Sequence, residues 1–165
     1  METIRRENAI PELAGKIEGI RFAMFTTQTA DGHLRSRPMT TQEAEFDGDL
    51  WFFTSVQQEL VDEIQANPAV GVVYADDDKG LWVSMMGQAS VLRDEAKMKE
   101  LYNPAVKAYF PDGLEDPDLR LIKVEVDQAE YWEAPHSKAA RLFNLAKAAL
   151  TGKRDHQGEH GKIKL

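Results

Sequence analysis

Between residues 21 and 132 short apolar runs alternate with Asp-Gly, Asn-Pro and Asp-rich breaks, the pattern of strands joined by turns rather than of long helices. Runs at 21–27, 33–42 and 49–54 predict three strands, and the pairs Asp31-Gly32 and Asp47-Gly48 predict tight hairpins that fold them into an antiparallel meander. Pro38 removes a backbone donor from the second strand, which implies an edge, a bulge or a place where a ligand meets the backbone. Ser55, with Gln58 three residues on, has the form of a capping box; Leu60, Val61 and Ile64 give the helix an apolar stripe, and Asn67-Pro68 stops it. Val70-Gly71-Val72-Val73-Tyr74 is nearly continuous in apolar character and predicts a strand buried on both faces. The run 81–92 is long, so Gly87 marks a bend or bulge. Asp94 and Asn103-Pro104 open two short helices, and a last strand runs from Leu119 through Trp132.

Both ends read as helical. Leu13, Ile17 and Ile20 form one stripe over residues 9–20, with Pro11 in the first turn, and Ser137 caps a helix carrying Leu142, Phe143, Leu145, Ala146 and Leu150 before Gly152. Residues 153–165 are polar and expected to be disordered. The pattern therefore predicts a domain over 1–152 with a basic tail over 153–165, and six mostly antiparallel strands with short helices between them: a mainly β protein built as a small six-stranded, closed or split β-barrel.

Composition narrows the chemistry. A 165-residue chain that is 42% hydrophobic can bury a proper core, and with no cysteine it has neither disulfides nor thiolate chemistry nor Cys-ligated zinc. Neither a signal core nor an eighteen-residue apolar run is present, so a soluble cytoplasmic protein without membrane contact is expected. The net charge of −8 argues against nucleic acid, although residues 138–165 hold seven Lys and Arg against Asp155 and Glu159. His156 and His160 have metal-like spacing but no helical context, and no metal site is assigned. Met24, Met39, Met85 and Met86 read as core filler.

The candidate chemistry centres on Arg35-Ser36-Arg37-Pro38-Met39-Thr40. No Lys or Arg follows between Pro38 and Asp78, while seven Asp and Glu occur before position 64. Two residues apart in a strand, Arg35 and Arg37 share a face, where two guanidiniums suit a phosphate or carboxylate. They equally suit ion pairs with the neighbouring carboxylates. Thr54 and Ser55 end the next strand and open a helix, whose free N–H groups also favour an anion.

These stretches, with Trp51-Phe52-Phe53-Thr54-Ser55, Asn67-Pro68, Trp82 to Ala89, and Ala129 to Pro135 continuing through Arg141 to Leu145, resemble in order and spacing the FMN-binding split barrels related to pyridoxamine 5′-phosphate oxidase, and within them the general stress protein 26 group. The resemblance spans about residues 10–150. It implies a homodimer with FMN at the subunit interface, and contacts from Arg35, Ser36, Arg37, Pro38, Met39 and Thr40 on one strand and from Phe53, Thr54 and Ser55 after the next. Trp82 and Trp132 are candidates for the flavin ring, or equally core or interface aromatics. Relatives place a lysine about seven residues before the Asn-Pro; here that residue is Leu60, leaving Gln57 and Gln58 as uncharged donors.

The implied function is a flavin-dependent oxidoreductase exchanging electrons with an unidentified small molecule, the chemistry being the flavin's own. A non-catalytic flavin-sequestering stress protein and a dimeric module without cofactor are the alternatives. FAD, the deazaflavin F420 and haem stay open as cofactors.

Overall fold

The structure, a computed structural model, describes residues 3, 4, 6–42, 44–135, 142, 145–147, 149, 150 and 158–165. The first hairpin forms as its turn residues require. β2 (Phe22–Gln28) pairs antiparallel with β3 (Leu34–Thr40) in the register Phe22↔Thr40 to Gln28↔Leu34. Gly32 takes φ +86° in the turn, a conformation that costs other residues energy. β3 is the last strand on its side of the sheet, which is where Pro38 is tolerated.

The expected meander stops there. β4 (Asp49–Ser55) leaves β3 at Gly48, where φ is +114°, and pairs antiparallel with β7 (Leu119–Glu133) from Asp49↔Glu125 to Ser55↔Leu119. The apolar side chains of β4 explain the choice. Phe52 points into the barrel edge-on to Phe25, ring centroids 5.4 Å apart, while Phe53 packs on the other side with Met98, Leu101, Val106, Leu119 and Leu121. A place beside β7 covers both faces.

The remaining strands are β5 (Ala69–Asp76) and β6 (Leu81–Leu92), and the sheet runs β3-β2-β5-β6-β7-β4 around a barrel whose end strands, β3 and β4, are not paired with each other. That open seam splits the barrel, so the expected split β-barrel is what forms. Gly87 lies at a register shift between β6 and β7, where an added Cβ would stand 2.1 Å from the Glu125 carbonyl oxygen. β5 is buried on one face rather than two: Val70, Val72 and Tyr74 enter the core, whereas Val73 is exposed.

Two strands were not foreseen. β8 (Glu159–Lys164) lies in the segment expected to be disordered, pairing antiparallel with the second half of β7 and parallel with β1 (Thr3–Ile4). The tail is polar overall, yet its residues alternate, and Gly161 and Ile163 face inward between His160, Lys162 and Lys164. Gly161 lies under the Tyr131 ring, where a Cβ would come within 2.5 Å of a ring carbon.

Among the described residues, four α-helices fill connections around the barrel. α1 (Arg6–Ile17) begins earlier than expected, so Pro11 falls inside it on an exposed face, while Ala9, Leu13 and Ile17 enter the core. α2 (Glu59–Ala66) begins later: Ser55 ends β4, and its carbonyl and hydroxyl oxygens accept from the backbone N–H groups of Gln58 and Gln57 to form a turn instead of a cap. α3 (Glu95–Leu101) and α4 (Pro104–Tyr109) are capped by Asp94 and Asn103 as their sequence implies. Beyond the barrel, Leu142, 145–147, 149 and 150 are helical, whereas Ser137, Phe143 and Gly152 lie outside the described residues.

Candidate functional site

The open seam between β3 and β4 is a cleft of about 350 Å³, within the usual range of small-molecule sites. One wall is Arg37 to Thr40 of β3, the opposite wall Phe53 to Ser55 of β4, and the floor Gln58 and Leu60 at the start of α2. Asn103, Ala105, Val106, Tyr109 and Phe110 close the third side from α4. A wider groove of about 1090 Å³ continues from it between α1 and the β3–β4 connection, sharing Thr40, Gln42, Asn103 and Ala105. Asn103 Nδ2 donates to Gln42 Oε1 at 3.1 Å where the two spaces meet.

Arg37, at one end of the cleft, belongs to an ion-pair network beneath α2 that lies behind the lining. Arg37 donates from Nη1 to the Thr27 hydroxyl at 2.9 Å and from Nη2 to Glu63 Oε2 at 2.6 Å, and Thr27 in turn donates to the same carboxylate oxygen. Arg35 donates to Glu63 Oε1 at 3.3 Å and also to Glu59. The Glu63 side chain is 9% exposed and that of Arg37 20%, against 50% for Arg35 and 74% for Glu59. Burial pushes the Glu63 carboxyl up, but the Thr27 hydrogen bond and the Arg37 and Arg35 guanidiniums outweigh it and hold it below its ordinary range. Hydrogen bonding to Glu59, with the charges of Glu59 and Glu63, raises Arg35 further.

Eight of the thirteen residues singled out in the sequence line this cleft: Arg37, Pro38, Met39, Thr40, Phe53, Thr54, Ser55 and Gln58. Arg35 stands behind Arg37 in the network. Ser36 faces the other side of the sheet, its hydroxyl 2.7 Å from that of Thr26, and Gln57 reaches Asp118 at 3.3 Å. Trp82 and Trp132 are register partners on β6 and β7, on the outer face of the sheet and outside the cleft lining. Leu60, where the resemblance expects a lysine, is 3% exposed and shared between core and cleft floor. Sequence reasoning missed the α4 wall and Glu63. The signal for Glu63 was available: Glu59 and Glu63 lie four residues apart on one helical face, like charges that call for a cation between them.

The outer face of the sheet carries an exposed apolar patch. Phe22 and Met24 of β2, Val73 of β5, Trp82 and Met86 of β6 and Trp132 of β7 are each between 37% and 49% exposed, so Met24 and Met86 are not the core filler expected of them. The register aligns Pro38, Met24, Val73 and Ser84 in one row and Ala75, Trp82, Trp132 and His160 in another. His160 stacks on Trp132 at 5.3 Å and meets Glu130 at 2.6 Å. Among the described residues no helix is long and apolar enough to cross a membrane.

Comparison with known proteins places this geometry in a group. Residues 8–156 match the family model described as pyridoxamine 5′-phosphate oxidase like. A general stress protein 26 from Jannaschia sp. CCS1 superposes with a TM-score of 0.76 at 26% identity, over 96% of this chain and 99% of that one. A general stress FMN/FAD binding protein from Xanthomonas citri superposes with a TM-score of 0.68 at 28% identity, over 79% of this chain and 92% of that one. Protein bli-3 of Neurospora crassa is 28% identical over 157 residues, 89% of this chain and 75% of its own length. The split barrel, its seam and the matched span together make this chain a member of the pyridoxamine 5′-phosphate oxidase-like family.

Proposed function

We propose that the β3–β4 cleft binds a flavin such as FMN, and that the protein is a flavin-dependent oxidoreductase acting on a small molecule. The observation that carries the reading is the composition of the cleft. It presents an apolar slot formed by Met39, Phe53, Leu60, Val106 and Phe110, with hydroxyl and amide groups from Thr54, Ser55, Gln58 and Asn103 and a guanidinium at one end. That set suits a flat ring with a polar edge and an anionic tail. In this reading Pro38 to Thr40 and Phe53 to Ser55 hold the ring, and Arg37, with Arg35 behind it, faces the phosphate. The Xanthomonas citri relative, described as binding FMN or FAD, supports the choice of ligand.

A bound flavin supplies electron or hydride transfer. Among the described residues the cleft lining holds neither carboxylate nor imidazole, so its own side chains are suited to binding and orienting rather than to acid–base work. The same lack favours, as a second reading, a flavin carrier without turnover. We assign the exposed apolar sheet face to a symmetric homodimer, which would bury Trp82 and Trp132 and bring the second copy close to the seam; a specific interface covers more than about 1,200 Å². The test is a fluorescence titration of FMN into the protein and into Ala105→Trp, which fills the cleft from α4. Quenching by the parent and at least tenfold weaker binding by the variant are expected. Equal affinities would place the flavin elsewhere, and failure of NAD(P)H to reduce the bound flavin would favour the carrier.

A further inference from the structure

We propose that Glu63, assisted by Glu59, is an internal counter-anion that sets the selectivity of the cleft, making it indifferent to the flavin phosphate instead of dependent on it. The inference rests on the flavin reading above. It follows from how the arginines are used. Both oxygens of the Glu63 carboxylate are engaged by the Arg35 and Arg37 guanidiniums, and Arg35 also holds Glu59. Two cations facing two anions leave a patch with no net charge where a phosphate dianion would dock, and Leu60 adds none.

The two carboxylates differ in what they can do. Glu59 is exposed and can swing into solvent, so its hold on Arg35 yields to a competing anion at little cost. Glu63 cannot. It is fixed at one end by the Thr27 hydroxyl and by Arg37, is almost fully covered, and is held ionised at neutral pH by those same partners. A phosphate reaching Arg37 must share the guanidinium with a buried like charge, or break a buried ion pair to take it alone. Either way the bonds that a free arginine pair would add for FMN over riboflavin are offset. The ring contacts made by β3, β4 and α4 are common to both ligands.

The experiment is a fluorescence titration of the full chain, Glu63→Gln and Glu59→Gln with FMN and with riboflavin at neutral pH, circular dichroism confirming the fold. For the parent, FMN and riboflavin affinities within about threefold of each other are expected. Glu63→Gln keeps the shape and one accepting oxygen, which can serve Thr27 and Arg37, gives up the acceptor for Arg35 and removes the charge, so FMN should tighten about tenfold while riboflavin stays within about twofold. Glu59→Gln, a surface change that leaves the fold intact, should tighten FMN about two- to threefold and serves if Glu63→Gln is poorly folded. FMN bound tenfold or more above riboflavin by the parent, with no gain in either variant, would overturn the proposal and make Glu63 a positioning residue for the arginines. If neither flavin binds any of the three proteins, the flavin reading itself falls and takes the selectivity with it; binding of both flavins without the predicted ratio sinks the selectivity alone.

Discussion

The Arg37 guanidinium donates to the Glu63 carboxylate at 2.6 Å in a setting where the acid is 9% and the base 20% exposed. Removing one partner strands the other charge under α2. Arg37→Ala is therefore expected to cost about 2–3 kcal/mol, below the usual range for a fully buried pair because the arginine is partly wet. Urea unfolding checks this, and a loss under about 0.5 kcal/mol would mean that water screens the pair.

The same pair makes stability depend on acid. Glu63 holds its proton less tightly in the folded chain than in the unfolded one. Its contribution is thus fully present above the ordinary glutamate value of 4.5 and is lost as pH falls through the lower folded value. The stability difference between the parent and Glu63→Gln should shrink as pH falls below that range, and a difference independent of pH would contradict the assignment.

Tyr74 predicts the opposite limb. Its ring is fully buried on β5, and burial pushes the phenol up to about 12, more than the neighbouring Thr41 hydroxyl pulls it down. Because the unfolded phenol ionises near 10, the unfolded chain releases this proton first and stability falls as pH rises from there through the folded value. The loss should approach about 2–3 kcal/mol. Tyr74→Phe, which leaves nothing to ionise, should show a shallower alkaline decline in thermal unfolding.

The outer sheet face predicts assembly. Trp82 and Trp132 are adjacent in register and each about two-fifths exposed, among other exposed apolar side chains. A charge placed there, as in Trp132→Glu, should shift sedimentation from dimer to monomer while leaving the barrel folded. A parent protein that sediments as a monomer at micromolar concentration removes the dimer from the account.

The C-terminal strand predicts a cost to emptying its place in the core. Ile163 is 2% exposed within the main core, so Ile163→Ala should destabilise by about 2–4 kcal/mol, an effect a disordered tail could not produce. Differential scanning calorimetry distinguishes the two.

What the sequence made legible were features decided locally. Asp31-Gly32, Asn67-Pro68, the Asp94 and Asn103 caps and the Gly87 bulge each act within a few residues, and the structure places them where their chemistry requires. Both walls of the cleft came from one stretch each for the same reason. What escaped depended on distant partners. β4 chose β7 over its neighbour β3 because Phe52 and Phe53 need cover on opposite faces, and nothing within 49–54 names the covering strand. The apolar run of β5 looked doubly buried because exposed apolar positions on a sheet face read like core positions. Glu63 was hidden by its apolar neighbours Leu60, Val61 and Ile64, although its spacing from Glu59 pointed to the arginines.

The claim that the β3–β4 seam is the flavin site is tested most directly by a crystal structure of the protein grown with FMN. Flavin density is expected between residues 38–40 and 53–55, with the phosphate at the Arg37 end of the cleft. Density against the Trp82–Trp132 face alone, or an empty seam at saturating FMN, would contradict it.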